Sequence, residues 1–124
     1  MYAFRGIYVA ELLSSTIQRY VGAMAGNDCT DILKALSDRT RQRIVKALLH
    51  TDLGVNELTE RLELTQYNTS KHLRILKDAG IVDVRAIGQR REYFIATTFR
   101  RRIEKEGSVL DFGCCTFRMD KLPD

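Results

Sequence analysis

Apolar residues recur at helical spacing in five segments of this chain. The first segment runs from Val9 to Met24, where apolar side chains return every three or four positions and form one stripe. Met24 is an alternative start, which would make residues 1–23 an upstream extension, whereas the regular stripe favours counting them as part of the protein. Four later segments share the period and are separated by capping residues or glycine. The pattern predicts these four helices over Cys29–Leu36, Arg39–Leu49, Val55–Leu62 and Thr65–Ala79.

After Gly80 the apolar period changes from helical to alternating. The stretches IVDVRAI and REYFIA are rich in β-branched and aromatic residues, and GQR lies between them. This pattern predicts a β-hairpin with a basic tip at Gln89–Arg91. Beyond it, Thr97–Glu106 predicts a short charged helix, and residues 108–119 predict an extended or irregular segment. The expected fold class is mainly α with a small β-hairpin.

Two short helices joined by a tight turn and followed by a hairpin are typical of a winged helix-turn-helix protein. The second helix, Thr65–Ala79, has a polar outer face whose amide, hydroxyl and cationic groups suit base edges. The cations of the hairpin suit phosphates or the minor groove. We therefore predict a DNA-contacting set consisting of Gln66, Tyr67, Asn68, Ser70, Lys71, His72, Arg74, Gln89, Arg90 and Arg91.

Composition and charge agree with a small DNA-binding domain but do not prove one. The chain has 124 residues, of which 44% are hydrophobic and 29% charged, and its net charge is +4. Residues 29–100 carry 13 basic and 9 acidic side chains, so the whole excess lies in this segment. No apolar run is long enough to span a bilayer, and the N-terminus lacks the features of a signal peptide. We expect a cytoplasmic protein without a membrane partner, whose cysteines are reduced at rest.

Three segments of the sequence resemble the ArsR/SmtB family of winged-helix repressors over about residues 31–96. They read ILKALSDRTRQRIVKALL, VNELTERLELTQYNTSKHLRILKDAGIV and VRAIGQRREYFI. The recognition helix of that family typically reads serine-glutamine-x-x-x-serine-x-histidine-leucine. The resemblance implies a homodimer on a palindromic operator in double-stranded DNA, which needs no cofactor to bind and is released by a metal, metalloid or oxidant. The residues at the motif positions are Thr65, Gln66, Ser70, His72 and Leu73.

The chain departs from the family where the sensory sites usually lie. The segment GVNELTERL lacks the cysteines of the arsenic- and cadmium-sensing type, and the tail lacks the histidines of the zinc-sensing type. The helix after the hairpin is short, so we expect the N-terminal stripe to replace it in the dimer. We divide the chain into an N-terminal helix and dimerisation extension (1–27), a winged helix-turn-helix domain (28–100) and a tail with vicinal cysteines (101–124).

The three cysteines are the candidate sensory groups. Some family members with relocated sites carry an adjacent cysteine pair near the C-terminus, as Cys114 and Cys115 do here. Gly113 permits the bend that would let both thiols face one ion, and Cys29, at the start of a helix, would supply a third. Because soft thiolates select soft ions, we predict that all three bind As(III), Sb(III) or another thiophilic ion. Binding would tie a mobile tail to the dimer core.

Other roles of the same thiols stay open. A disulfide between Cys29 and either tail cysteine would make the protein a redox-sensing repressor. Free cysteines also pack as small buried hydrophobes, and zinc would lack a close histidine or second cysteine pair. A winged helix used only for protein contact is a further alternative, although the basic hairpin favours DNA. No Cys-x-x-Cys or nucleophile–base arrangement indicates an enzyme.

Overall fold

The computed structural model describes residues 28–97, 99 and 109–122. The predicted N-terminal helix lies outside the described residues, and of the predicted helix Thr97–Glu106 only Thr97 and Phe99 are described, both as helical. The first part comprises helices α1 (Cys29–Ala35), α2 (Arg39–Leu48), α3 (Val55–Leu62) and α4 (Gln66–Asp78), then strands β1 (Val82–Ile87) and β2 (Arg90–Ile95). The second part comprises strands β3 (Val109–Asp111) and β4 (Thr116–Arg118) and the 3-10 helix Met119–Lys121.

The helices begin where a cap satisfies the first free amides. The carboxylates of Asp28 and Asp38 accept hydrogen bonds of 3.0 Å from the third residues of α1 and α2, and the Thr65 hydroxyl accepts one of 3.1 Å in α4. In α3 the direction is reversed, since the Glu57 carboxylate accepts from the Gly54 N–H at 2.8 Å. The predicted mainly α fold with a hairpin is confirmed, and the predicted bounds of the four described helices α1 to α4 are each within one residue of the observed ones.

Helix α2 lies at the centre of the hydrophobic core. Its Ile44, Val45 and Leu48 are completely buried, whereas Ala47 is only partly so. The inward face of α4 includes Thr69, Leu73 and Leu76. This buried hydroxyl donates to the Thr65 carbonyl and accepts from the Thr59 hydroxyl, both at 2.9 Å. The turn between α3 and α4 is therefore fixed by satisfied hydrogen bonds as well as by apolar packing.

Strands β1 and β2 form an antiparallel hairpin that corresponds to the predicted wing. Ile87 pairs with Arg90, so that the turn contains only Gly88 and Gln89. Gly88 has φ 63°, a conformation that two-residue hairpin turns require and that glycine adopts at little cost. The predicted tip was therefore too long, because Arg90 and Arg91 are already paired in β2. Leu53 holds the wing to the core through two backbone hydrogen bonds to Tyr93, of 2.8 and 3.1 Å.

The tail forms a second hairpin, β3–β4, that packs into the same core. Leu110, Phe112 and Met119 are buried, and the Phe112 ring meets the Phe99 ring edge-on at 4.8 Å. The Lys46 ammonium of α2 donates to the Leu122 carbonyl at 2.9 Å. Apolar residues on both sides of the cysteine pair are thus buried, and the expectation of a mobile tail in the reduced protein stays a prediction. Within the described segments no helix is long and apolar enough to cross a membrane.

Because the tail packs into the core, truncating its buried Leu110 side chain should strongly destabilise the folded protein. We expect Leu110→Ala to lower the free energy of unfolding by about 2–5 kcal/mol, since Leu110 is completely buried. Leu33→Ala is the matched control, because Leu33 is 48% exposed, and we expect a change within about 0.5 kcal/mol. Urea unfolding of the reduced protein measures both. Similar losses in the two variants would contradict the packing of the tail into the core.

Candidate nucleic-acid interface and thiol cluster

The outer face of α4 presents a continuous set of polar side chains to solvent. Because Leu73 and Leu76 face the core at helical spacing, the residues between and opposite them face outward. Tyr67 is 76% exposed, and Asn68 is half-buried beside the helix start. The exposed members of this set are Gln66, Tyr67, Ser70, Lys71 and Arg74. The side chains of Ser70, Lys71 and Arg74 form no hydrogen bond with any other described residue.

Two predicted DNA-contacting residues already have partners on α3. The Gln66 amide donates to the Asn56 amide oxygen at 3.2 Å. Arg90 donates to the Glu57 carboxylate at 3.1 Å, and that same carboxylate oxygen accepts from the Gly54 N–H. These contacts orient the start of α4 and the tip of the wing relative to α3. Gln89 and Arg91 remain exposed at the hairpin end.

His72 lies apart from this outer face. Its side chain is half-buried, and its Nδ1 is 3.1 Å from Nη1 of Arg41 on α2. A guanidinium cannot accept a hydrogen bond, so Arg41 donates and the imidazole Nδ1 must be unprotonated. The geometry therefore gives this member of the predicted DNA-contacting set a contact inside the protein.

The protonation of His72 is controlled by its surroundings. Burial lowers the pKa of His72 below its ordinary value; Asp38 opposes this shift, and the charges of Arg41 and Lys71 add to it. Burial alone would raise the pKa of Asp38, but the Arg41 amide and guanidinium, together with His72, hold it below its ordinary value. Both shifts favour an ionised Asp38 beside a neutral His72.

A row of polar side chains on α2, to which the sequence analysis assigned no role, links the other elements. Four of them donate to backbone carbonyls that lie at or after the ends of helices and strands, where intrahelical partners are lacking. Arg41 donates to the Ala35 carbonyl at 2.5 Å, and Arg43 donates to the Leu62 carbonyl at 3.1 Å. Gln42 and Lys46 bond similarly to Leu36 and Leu122. The cluster of cations early in this helix was the available sequence signal.

The three cysteines converge although 85 residues separate the first two. Their Sγ atoms all lie within 4.8 Å of one another, and those of Cys114 and Cys115 are 3.9 Å apart. Cys29 and Cys114 are joined as a disulfide with Cα atoms 6.0 Å apart, and Cys115 is a free thiol. All three predicted ligands are thus in one place, while metal or metalloid binding by them stays a prediction.

The turn between β3 and β4 determines the arrangement of the adjacent cysteine pair. Gly113 has φ 93°, and its N–H donates to the Asp111 carboxylate at 2.7 Å. The bend brings both tail thiols to the side of the hairpin that faces the start of α1. Burial, with the negative charge of Asp111 adding to it, raises the pKa of the Cys115 thiol. Cys115 is therefore a protonated thiol at neutral pH.

Comparison with known proteins agrees with this geometry. The family profile described as "Bacterial regulatory protein, arsR family" matches residues 38–84, which span α2 to the start of the wing. The solved structure of HlyU from Vibrio cholerae is 34% identical and superposes with a TM-score of 0.55, covering 69% of this chain and 90% of that one. The chain belongs to the ArsR family.

Within the ArsR family, several named relatives are similar over the same core. The chain is 42% identical over 65 residues to the HTH-type transcriptional regulator Rv2034 of Mycobacterium tuberculosis, covering 52% of this chain and 61% of the relative. It is 39% identical over 67 residues to the transcriptional activator HlyU, covering 54% and 62%. It is 35% identical over 88 residues to the arsenic resistance regulator ArsR1 of Pseudomonas putida, covering 70% and 58%. The chain thus spans about three fifths of the length of these relatives.

The neutral state of His72 predicts how stability depends on pH. Because the folded pKa of His72 lies below its ordinary value of 6.5, the folded protein binds fewer protons than the unfolded chain. We expect the free energy of unfolding to be highest above pH 6.5 and to fall as the pH drops from there through the folded pKa. Urea unfolding across this range should give a flatter profile for His72→Asn, whose amide oxygen can accept from Arg41 without titrating.

The matched control for this profile is His50→Asn, since His50 is exposed at the end of α2. We expect the free energy of unfolding of His50→Asn to keep the dependence on pH that His72 causes. A His72→Asn profile as steep as that of the wild type would show that the Arg41–His72 contact does not control the titration.

Proposed function

We propose that this ArsR-family protein is a sequence-specific, DNA-binding transcriptional repressor that acts as a homodimer. In this proposal α4 enters the major groove and the wing contacts the backbone or minor groove of a palindromic operator. The single observation that carries it is the solvent-facing polar set on α4, whose Ser70, Lys71 and Arg74 have no side-chain hydrogen bond to any other described residue. A two-fold dimer would place two such helices one turn of DNA apart.

That the protein represses transcription, and does not activate it, is part of the proposal, since its relatives differ in this respect. HlyU is named an activator, whereas ArsR1 is named for arsenic resistance. A repressor whose affinity is lowered by its inducer needs a sensory group that is linked to the DNA-binding elements. The thiol cluster meets that need, because it joins the start of α1 to a tail hairpin that packs on α2.

We further propose that trivalent arsenic or antimony binds the reduced cluster and releases the operator. Three sulfur donors within 4.8 Å of one another suit a soft ion that takes three ligands. When three thiols bind arsenous acid, three As–O bonds are exchanged for three As–S bonds, and the thiol protons leave as water. A divalent cation would instead have to displace free protons, which the raised pKa of the Cys115 thiol opposes.

A thiol redox switch is the second candidate, and the Cys29–Cys114 disulfide favours it. Two thiols would lose two electrons and two protons to a peroxide, forming one disulfide together with two molecules of water from hydrogen peroxide, or one water and one alcohol from an organic hydroperoxide. The disulfide removes two of the three sulfur ligands, so the oxidised cluster cannot bind arsenic through three thiolates. The two candidates therefore describe alternative states of one cluster and can be separated by reduction.

If α4 reads bases, replacing side chains on its outer face should reduce the preference of the protein for the operator over random DNA. We expect Arg74→Met to weaken operator binding by about 1–3 kcal/mol more than binding to random DNA, because a base contact is lost. Ser70→Ala should change binding in the same direction. Lys77→Met removes one charge from the same helix and is the control, for which we expect similar losses on both DNAs. Fluorescence anisotropy at fixed salt measures these affinities, and equal losses for Arg74→Met would exclude base reading by that residue.

If the three thiols bind arsenic, replacing them should weaken the binding of arsenite by the DNA-free protein in steps. We expect reduced wild-type protein to bind one arsenic per chain, and the Cys114→Ser, Cys115→Ser double variant to lose binding because one thiol remains. Cys29→Ser should bind more weakly than the wild type but more tightly than the double variant. Equilibrium dialysis measures all three, with Thr116→Ser as a hairpin control. If the double variant bound arsenite with wild-type affinity, the tail cysteines would have a purely structural role.

A further inference from the structure

Helix α1 connects the thiol cluster to a second polar contact at its other end. It has seven residues, Cys29–Ala35, and is therefore about 10 Å long. Cys29 lies at its first position, and its inward side chains Ile32 and Ala35 are buried in the core. A short helix held along one face moves as a unit, so displacement of its first residue also displaces its last carbonyls.

One side chain of α2 donates to the last two of those carbonyls, and the Lys34 carbonyl also accepts from the Ser37 hydroxyl at 2.8 Å. Arg41 donates through Nε to the Ala35 carbonyl at 2.5 Å and through Nη2 to the Lys34 carbonyl at 3.4 Å. The guanidinium is planar, and its donors are fixed relative to one another. Arg41 cannot follow one acceptor without changing its distance to the others.

The remaining donor of this fork contacts the recognition helix. Nη1 of Arg41 lies 3.1 Å from Nδ1 of His72, which is adjacent to Lys71 and two residues from Ser70 and Arg74. The charged groups that face His72 are Asp38 and Arg41 on the α2 side and Lys71 on its own helix. Burial keeps His72 neutral, so that Nδ1 can accept from Arg41.

We propose that Arg41 is a positioning residue that relays the state of the thiol cluster through α1 to His72 on the recognition helix. This inference rests on the proposed function, because it explains how the cluster would alter DNA binding. Changing the cluster from disulfide to free thiols, or from free thiols to an arsenic complex, shifts the start of α1. The shift changes the Arg41–His72 contact and with it the orientation of α4.

The alternative is that Arg41 only caps the C-terminal end of α1. A cap stabilises the helix, but it does not make His72 respond to the chemistry of cysteines at the opposite end. The imidazole signals of His72 therefore distinguish a relay from a cap. The chain has two histidines, and the exposed His50 is an internal reference in the same sample.

The experiment is a pH titration of the imidazole signals by NMR on the full chain in three states: oxidised, reduced, and reduced with arsenite. His72→Asn assigns the two signals. We expect the titration midpoint of His72 to differ between the three states, with the signal of His50 as the reference in the same sample. In Arg41→Lys, which keeps the charge but lacks the fork, the His72 midpoint should be the same in every state. An unchanged midpoint in the wild type, or a wild-type response in Arg41→Lys, would overturn the relay.

Arg39→Lys is the matched control, because Arg39 is an exposed arginine two positions earlier on α2. It should keep the wild-type response of His72. If Arg41→Lys does not fold, His72→Leu tests the same contact from the other side. It should bind arsenite like the wild type but lose the coupling, which in allosteric proteins typically amounts to about 5- to 150-fold in affinity. Wild-type coupling in His72→Leu would likewise overturn the relay.

Operator binding measured on the same samples separates the two levels of the proposal. If His72 responds to the thiols but operator affinity does not, the proposed release mechanism fails and the relay remains. If arsenite releases the operator and His72 does not respond, the relay fails and the proposed function remains. The comparison of oxidised with reduced protein decides the relay even if arsenite does not bind.

Discussion

The structure depends on helix α2 being apolar on one side and polar at its edges. Its completely buried Ile44, Val45 and Leu48 fix it in the core. Because that position is fixed, the polar side chains along the same helix can reach backbone carbonyls of α1, α3 and the tail at distances of 2.5–3.1 Å. One element therefore sets the positions of the recognition helix, the thiol cluster and the tail hairpin.

This arrangement shows how a small domain would combine DNA binding with the proposed sensing. The polar face of α4 faces solvent because its inward residues pack on α2, and the wing is attached to the same core through Leu53. The cysteines meet where the tail hairpin reaches the start of α1. From the thiols a continuous path of contacts leads through α1 and Arg41 to His72 on α4.

The sequence predicted local structure better than it predicted contacts between distant segments. The bounds of α3 and the inward face of α4 followed from apolar period and caps, which depend on neighbouring residues. The tail hairpin did not follow, because its strands have three residues each and are stabilised by burial in a core built elsewhere. The internal role of His72 was also missed, since its partner Arg41 lies 31 residues away. From the sequence, the proximity of Cys29 to the tail pair was only a hypothesis, and the distance between them follows from the folded structure alone.

Release of a bound operator by arsenite is the most direct test of the central claim, that the thiol cluster controls DNA binding. Reduced protein would be bound to a fluorescent copy of its own upstream DNA and titrated with arsenite, with zinc and, separately, with peroxide followed by a reducing agent. The account predicts that anisotropy falls with arsenite and stays high with zinc. Release by peroxide that a reductant reverses would identify the redox state of the same cluster as the signal. Tight binding that none of these reagents changes would contradict the claim that the cysteines regulate the protein.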